Sequence, residues 1–125
     1  MLAAMLEQAK EAPFEEVCGM LAGRDGVITH IFPAENELHS AREFAIPPRE
    51  LFRVFHAMRT QRLDHLGIYH SHPATENAPS QRDIEESHYP EAAYFIVSPR
   101  PAAERPVRAF LIQPPEVTEL ELEIV

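Results

Sequence analysis

The chain has one cysteine, one lysine and no tryptophan among its 125 residues, and acidic residues outnumber basic ones by 20 to 11. Cys18 alone cannot form an internal disulfide, so no oxidised framework supports the fold. It lies in an apolar run with no base placed beside it, and reads as a small buried hydrophobe rather than a reactive thiol. The net charge of −9 argues against nucleic acid as a partner, because phosphates would be repelled rather than steered in. No apolar stretch approaches the length of a membrane span. The opening run Met1 to Leu6 is too short for a signal peptide and is followed by Glu7 and Glu11, so the expectation is a cytoplasmic protein with no membrane partner. The weighting of arginine over lysine, with Lys10 the exception, suits either a salty cytoplasm or a biased genome. Nothing in the sequence speaks to oligomeric state.

At this length residues 1–125 form one domain, long enough for a core and too short for a second. Met1 to Ala12 has the composition and spacing of a helix, stopped before Pro13. Glu16 to Ala22 reads as a strand, Gly23-Arg24-Asp25-Gly26 as a hairpin turn, and Val27 to Phe32 as the partner strand. Pro33 to Ser40 is polar loop and Arg42 to Ile46 a short strand ended by Pro47-Pro48. Arg49 to Arg62 is the clearest helix, with Leu51, Val54, Phe55 and Met58 on one face. Ala92 to Val97 and Val107 to Gln113 are apolar strands. Val117 to Val125 alternates Leu120, Leu122 and Ile124 with Glu119, Glu121 and Glu123, the pattern of a half-buried strand with an acidic outer face. This order implies an α/β layered fold, a mixed sheet packed against helices.

The most specific stretch is Gly67-Ile68-Tyr69-His70-Ser71-His72-Pro73, followed by Pro79-Ser80-Gln81-Arg82-Asp83. If the apolar run continues as a strand through His72, its period of two puts His70 and His72 on one face, where two imidazoles can reach one ion. Ser80 is a good N-cap for a helix over Gln81 to Glu86, with Asp83 in its first turn. The Asp83 carboxylate then completes two nitrogens and one oxygen, leaving a fourth position open, as a catalytic rather than a structural zinc requires. Taken singly, Ser80 is also explained as a cap and Asp83 as a first-turn acid favoured by the helix dipole. His30, His39, His56 and His65 have no partner spacing and read as surface or boundary residues. His88, five residues after Asp83 on the same helix, reads as a surface residue or as a support behind the ligands.

The pattern His-x-His-Pro, a seven-residue interval, then Ser-x-x-Asp resembles the signature of the JAMM (MPN+) metalloproteases, in their compact stand-alone prokaryotic form. The resemblance extends to Glu15-Glu16-Val17-Cys18-Gly19-Met20-Leu21, which is similar to the family segment carrying its general base. It implies a curved mixed sheet between helices, similar in fold to the zinc deaminases, with one zinc ion held by His70, His72 and Asp83. It further implies Glu16 as general base and Ser80 as oxyanion donor. Glu15 is the rival base from the residues alone, although neighbouring strand residues point to opposite faces.

The implied activity is hydrolysis of the amide or isopeptide bond after the C-terminal Gly-Gly tail of a ubiquitin-like or sulfur-carrier protein, or of its adduct. The segments around the motif have no room for the long insertions with which other family members grip ubiquitin. A metal site on the rim of a sheet would suit capture of the tail by strand addition. A non-catalytic scaffold of the same fold is the alternative function, and the complete residue set speaks against it. A nucleoside deaminase would need His-x-Glu with a distant Pro-Cys-x-x-Cys, which a chain with one cysteine cannot supply.

Overall fold

A computed structural model describes residues 1–125 as a six-stranded sheet with helices on both faces. In chain order the elements are α1 (Leu2–Glu11), β1 (Cys18–Arg24), β2 (Val27–Ala34), α2 (Pro48–Thr60), β3 (Asp64–Ser71), α3 (Gln81–Glu85), β4 (Ala93–Val97), β5 (Val107–Gln113) and β6 (Glu116–Leu120). The strands lie in the order β2-β1-β3-β4-β5-β6. All neighbours are antiparallel except β3 and β4, which are parallel. A parallel pair needs a crossover, and here the crossover contains the seven-residue interval and α3. It therefore begins at the C-terminal end of β3, where the two histidines stand.

The period of two divides each strand between two cores. On one face Met20, Ala22, Ile68, Tyr94, Ile96, Phe110 and Ile112 pack with Val54 and Met58 of α2. On the other, Leu21, Tyr69, Phe95, Val97 and Ala109 pack with Met5 and Ala9 of α1. Strands covered on both faces carry near-continuous apolar runs, which is why β1 and β4 read as unbroken hydrophobic segments. Pro48 opens α2 at its first turn, where its missing N–H costs nothing. Gly19 is fixed by a close approach: a Cβ there would run into the Tyr69 ring, whose hydroxyl donates to Gln8 Oε1 of α1 at 2.5 Å.

Several boundaries differ from the sequence expectation. Glu16 is not on a paired strand; β1 begins two residues later at Cys18. β2 continues through Pro33 to Ala34, an edge position where a missing N–H is tolerated. Residues 42–46 form no sheet strand. Ala45 is held by Asn36 and Glu37 instead of a ladder, and Pro47-Pro48 supplies no donors to extend one. The last strand ends at Leu120, which pairs with Ala109. Beyond that register β5 has only Arg108 and Val107 before Pro106, so residues 121–125 run on exposed, with Ile124 at 82% and Val125 at 88% exposure.

The strand carrying the motif is central and paired on both sides, so the sheet has no free rim beside the two histidines. Its open edges are β2 and β6.

Candidate metal centre

His70 is the penultimate residue of β3, between Cys18 of β1 and Ile96 of β4. His72 lies just beyond the strand, but its N–H still donates to the Val97 carbonyl at 2.9 Å, which keeps the backbone extended and the two imidazoles on one face. Their Nε2 atoms lie 3.1 Å apart. Asp83 meets them from α3, with Oδ1 3.2 Å from His70 Nε2 and Oδ2 3.0 Å from His72 Nε2.

A reciprocal cap aims the carboxylate. The Asp83 N–H donates to Ser80 Oγ at 3.1 Å while the Ser80 N–H donates to Asp83 Oδ2 at 2.9 Å. Ser80 accepts with a lone pair, so its hydroxyl proton is not used in the cap.

His70, His72 and Asp83 each offer an atom to a common point, all within 4.8 Å of one another. His72 Nδ1 donates to the Glu76 carbonyl at 2.7 Å, which leaves the lone pair on Nε2, facing inward. Two imidazole nitrogens and a carboxylate converging on one point are a good set of zinc ligands. Burial pushes the His70 pKa down, only partly offset by Asp83, so its imidazole is neutral as a ligand must be. For His72 burial also acts downward, but its bonds to Asp83 and Glu76 outweigh it and the pKa is raised. For Asp83 burial acts upward, yet the two imidazoles and the Ser80 N–H hold the carboxyl far below the usual carboxylate range.

Glu16 is 3% exposed. Desolvation is the main reason its pKa is pushed up to about 8; the His72 field opposes this, and Asp83 and Glu43 add to it. Just two buried side-chain polar atoms have no hydrogen-bond partner, Glu16 Oε1 and His70 Nδ1. Unpaired buried polar atoms call for an explanation, and both belong to this constellation. Glu15, by contrast, is turned outward to His39 Nδ1 at 3.2 Å.

Four residues that are not among the candidate site residues assemble the site. Ser71, between the histidines, points to the opposite face and accepts the Val17 N–H at 2.8 Å. Asn36 is 7% exposed; its Nδ2 donates to the carbonyls of Glu16 at 3.0 Å and Glu43 at 3.1 Å, while its Oδ1 accepts from Leu38 and Ala45. Asn77 anchors the interval loop through the carbonyls of Ile96 and Arg105. Phe44 stacks on His70 at 4.6 Å between centroids. Ser71 was discoverable from strand alternation; the two asparagines and Phe44 depend on contacts between distant segments. Of the other histidines, His88 lies past the end of α3 and is exposed beside Glu86. His65 sits edge-on to Phe55 and Tyr89. Cys18 is buried and free.

Residues 1–113 match the family described as prokaryotic homologs of the JAB domain. The chain belongs to this family. It is 34% identical over 125 residues to the CysO-cysteine peptidase of Mycobacterium tuberculosis, covering 98% of this chain and 85% of that protein. It is 34% identical over 96 residues to the desampylase of Haloferax volcanii, covering 74% and 69% respectively. Among solved structures, a protein from Desulfitobacterium hafniense aligns with a TM-score of 0.81 at 35% identity, over 96% of this chain and 85% of that one. A JAB1/MPN domain protein from Archaeoglobus fulgidus shares the fold with a TM-score of 0.66 at 23% identity, over 99% and 93%. The sequence reading of a stand-alone prokaryotic JAMM/MPN chain is therefore correct in family and in fold. With such relatives the chain is a hydrolase of the peptidase and isopeptidase class. No helix in this JAB-family chain is long and apolar enough to cross a membrane.

Proposed function

We propose that this chain is a zinc-dependent cytoplasmic peptidase that hydrolyses the amide bond after the C-terminal Gly-Gly tail of a ubiquitin-like or sulfur-carrier protein, or of its adduct. The observation that carries this reading is the convergence of His70 Nε2, His72 Nε2 and both Asp83 oxygens near Glu16, whose buried Oε1 is unpaired. His70, His72 and Asp83 would hold one zinc ion. When bound, zinc supplies Lewis acidity, which acidifies water and polarises a carbonyl.

The remaining steps belong to the protein. Glu16, freed of hydrogen bonds at Oε1, takes a proton from the attacking water and delivers it to the departing amine. The water oxygen bonds to the carbonyl carbon, the C–N bond breaks, and a carboxylate and an amine leave. Ser80 Oγ–H, unspent in its cap, donates to the oxygen that gains charge, a contribution of about 2.7–4 kcal/mol per donor.

Residues 42–46 supply a route for the tail. Ala45 uses its N–H and C=O toward Asn36 and Glu37, while those of Phe44 and Ile46 have no partner. The segment thus leaves unpaired backbone groups beside His70, where backbone bonds can grip an extended peptide regardless of most side chains. Glycines before the scissile bond let that backbone approach closely. Tail capture by strand addition is thereby relocated from the sheet to this segment.

The test is incubation of the zinc-loaded protein with ubiquitin-like carriers extended past Gly-Gly, read by intact mass. A single cut directly after Gly-Gly is expected. Cutting at unrelated sequences would refute tail capture, and lack of any cleavage together with no stoichiometric zinc would favour a scaffold.

A further inference from the structure

One ion pair ties α3 to the segment before α2 beside the site. Arg82 Nε meets Glu43 Oε2 at 2.8 Å, with the two side chains 45% and 38% exposed. Each partner adjoins a wall of the site: Arg82 precedes Asp83, which touches both imidazoles, and Glu43 precedes Phe44, which stacks on His70. The pair thus links α3 to residues 42–46, and both of its charges are close enough to act on Glu16.

An exposed ion pair of this kind is worth little, so exchanging one carboxylate for another on the same guanidinium costs almost nothing. An arginine fork binds a carboxylate with two parallel, charge-assisted bonds. The Glu43 carboxylate thus occupies, on Arg82, the place that a substrate carboxylate would take. The surroundings make the arginine selective. Glu16, Asp83 and Glu43 are acidic, Arg82 is the fixed cation whose field reaches Glu16, and the whole chain carries a net charge of −9. Beside a metal held by His70, His72 and Asp83, Arg82 would be the second cation within reach of a carboxylate on the leaving group.

We propose that Arg82 receives a carboxylate on the leaving group, so that this chain prefers adducts releasing the α-amine of an amino acid over adducts releasing a lysine side chain. The inference rests on the peptidase reading above and narrows it. In an α-linked adduct the carboxylate is two bonds from the scissile nitrogen; in an isopeptide that nitrogen carries only an alkyl chain. The tail lies along Phe44 and Ile46, and the leaving residue comes level with the Glu43–Arg82 bridge.

The experiment compares one Gly-Gly carrier joined to cysteine, to cysteamine, which lacks the carboxylate, and to a lysine side chain. For the zinc-loaded wild type, kcat/KM is expected to be roughly 10- to 100-fold higher with cysteine than with the other two. Arg82→Gln should reduce the cysteine-to-cysteamine ratio to about one, whatever its effect on the absolute rate through Glu16, and retain zinc. Glu43→Gln, which removes the competing carboxylate, should widen the wild-type preference. Arg42→Gln, altering an exposed neighbouring arginine, should leave it in place. Binding of the same adducts to the zinc-loaded Glu16→Gln protein, with and without Arg82→Gln, should show the same preference independently of turnover. Equal losses for all three adducts, or no preference in either assay, would overturn the assignment. Absence of cleavage with the binding preference intact would instead overturn the peptidase reading and leave the carboxylate site standing.

Discussion

The hydroxyl of Ser71 accepts the N–H of Val17 at 2.8 Å, and the Ser71 N–H returns a bond of 3.0 Å to the Val17 carbonyl. The residue between the two candidate ligands is thus tied by side chain and backbone to the residue after Glu16. Ser71 is fully buried, so Ser71→Ala leaves the Val17 N–H without a partner in the interior. The expected cost is about 1–3 kcal/mol, which lowers the melting temperature by roughly 3–5 °C per kcal/mol in a chain of this size. Turnover should fall as well, because Glu16 loses its registry with the ligands. Thermal unfolding and steady-state kinetics check both, and an unchanged melting temperature would show that the bond adds nothing.

His70→Ala and Asp83→Ala should each lose zinc and activity together while the far-ultraviolet circular dichroism persists. The two cores on either face of the sheet are formed by apolar strands with α1 and α2, and they include no ligand. Metal content by mass spectrometry on the purified proteins decides the matter. Stoichiometric zinc in either variant would remove that residue from the ligand set.

How much of this was legible in the sequence follows from the range of the interactions. His70, His72, Ser80 and Asp83 lie within fourteen residues of one another, and local rules place them: strand alternation for the histidines, capping chemistry for the pair on α3. Choosing Glu16 over Glu15 needed the family resemblance, because strand periodicity cannot say which of two adjacent acids faces inward; in the structure Glu16 is buried and Glu15 is turned out to His39. The expected strand at residues 42–46 failed for a related reason. Its sequence is extended in character, but its partner is the Asn36 side chain and not another strand. Asn36 itself left no local signal, since an asparagine in a polar loop ordinarily marks a turn.

Cys18 makes a prediction about reactivity. Burial pushes its thiol up to about 12, with the Glu16 and Glu50 fields acting in the same direction. The thiolate is the reactive form, so at pH 8 alkylation should be negligible in the folded protein and rapid after unfolding in guanidinium. Iodoacetamide labelling followed by intact mass is the measurement. Prompt labelling of the native protein would contradict both the burial and the structural role read from the sequence.

Glu16 yields two outcomes that separate catalysis from stability. In the zinc-loaded protein, Glu16→Gln keeps the volume of the side chain but cannot carry a proton, so zinc should remain while turnover falls roughly 10²–10⁴-fold. In the metal-free protein the same substitution tests the raised pKa. The carboxyl ordinarily titrates at 4.5 and is held at about 8 in the fold, chiefly by desolvation. Below pH 4.5 both folded and unfolded chains keep the proton, and the group imposes no penalty. As pH rises from 4.5 to 8 the unfolded chain ionises while the folded one does not, so the stability present at low pH is lost across that window and stays lost above it. The loss is on the order of 2–5 kcal/mol. Metal-free Glu16→Gln should therefore match the wild type near pH 4.5 and exceed it in melting temperature at pH 8. A difference that is the same at both pH values would mean that Glu16 ionises in the folded state as readily as in water.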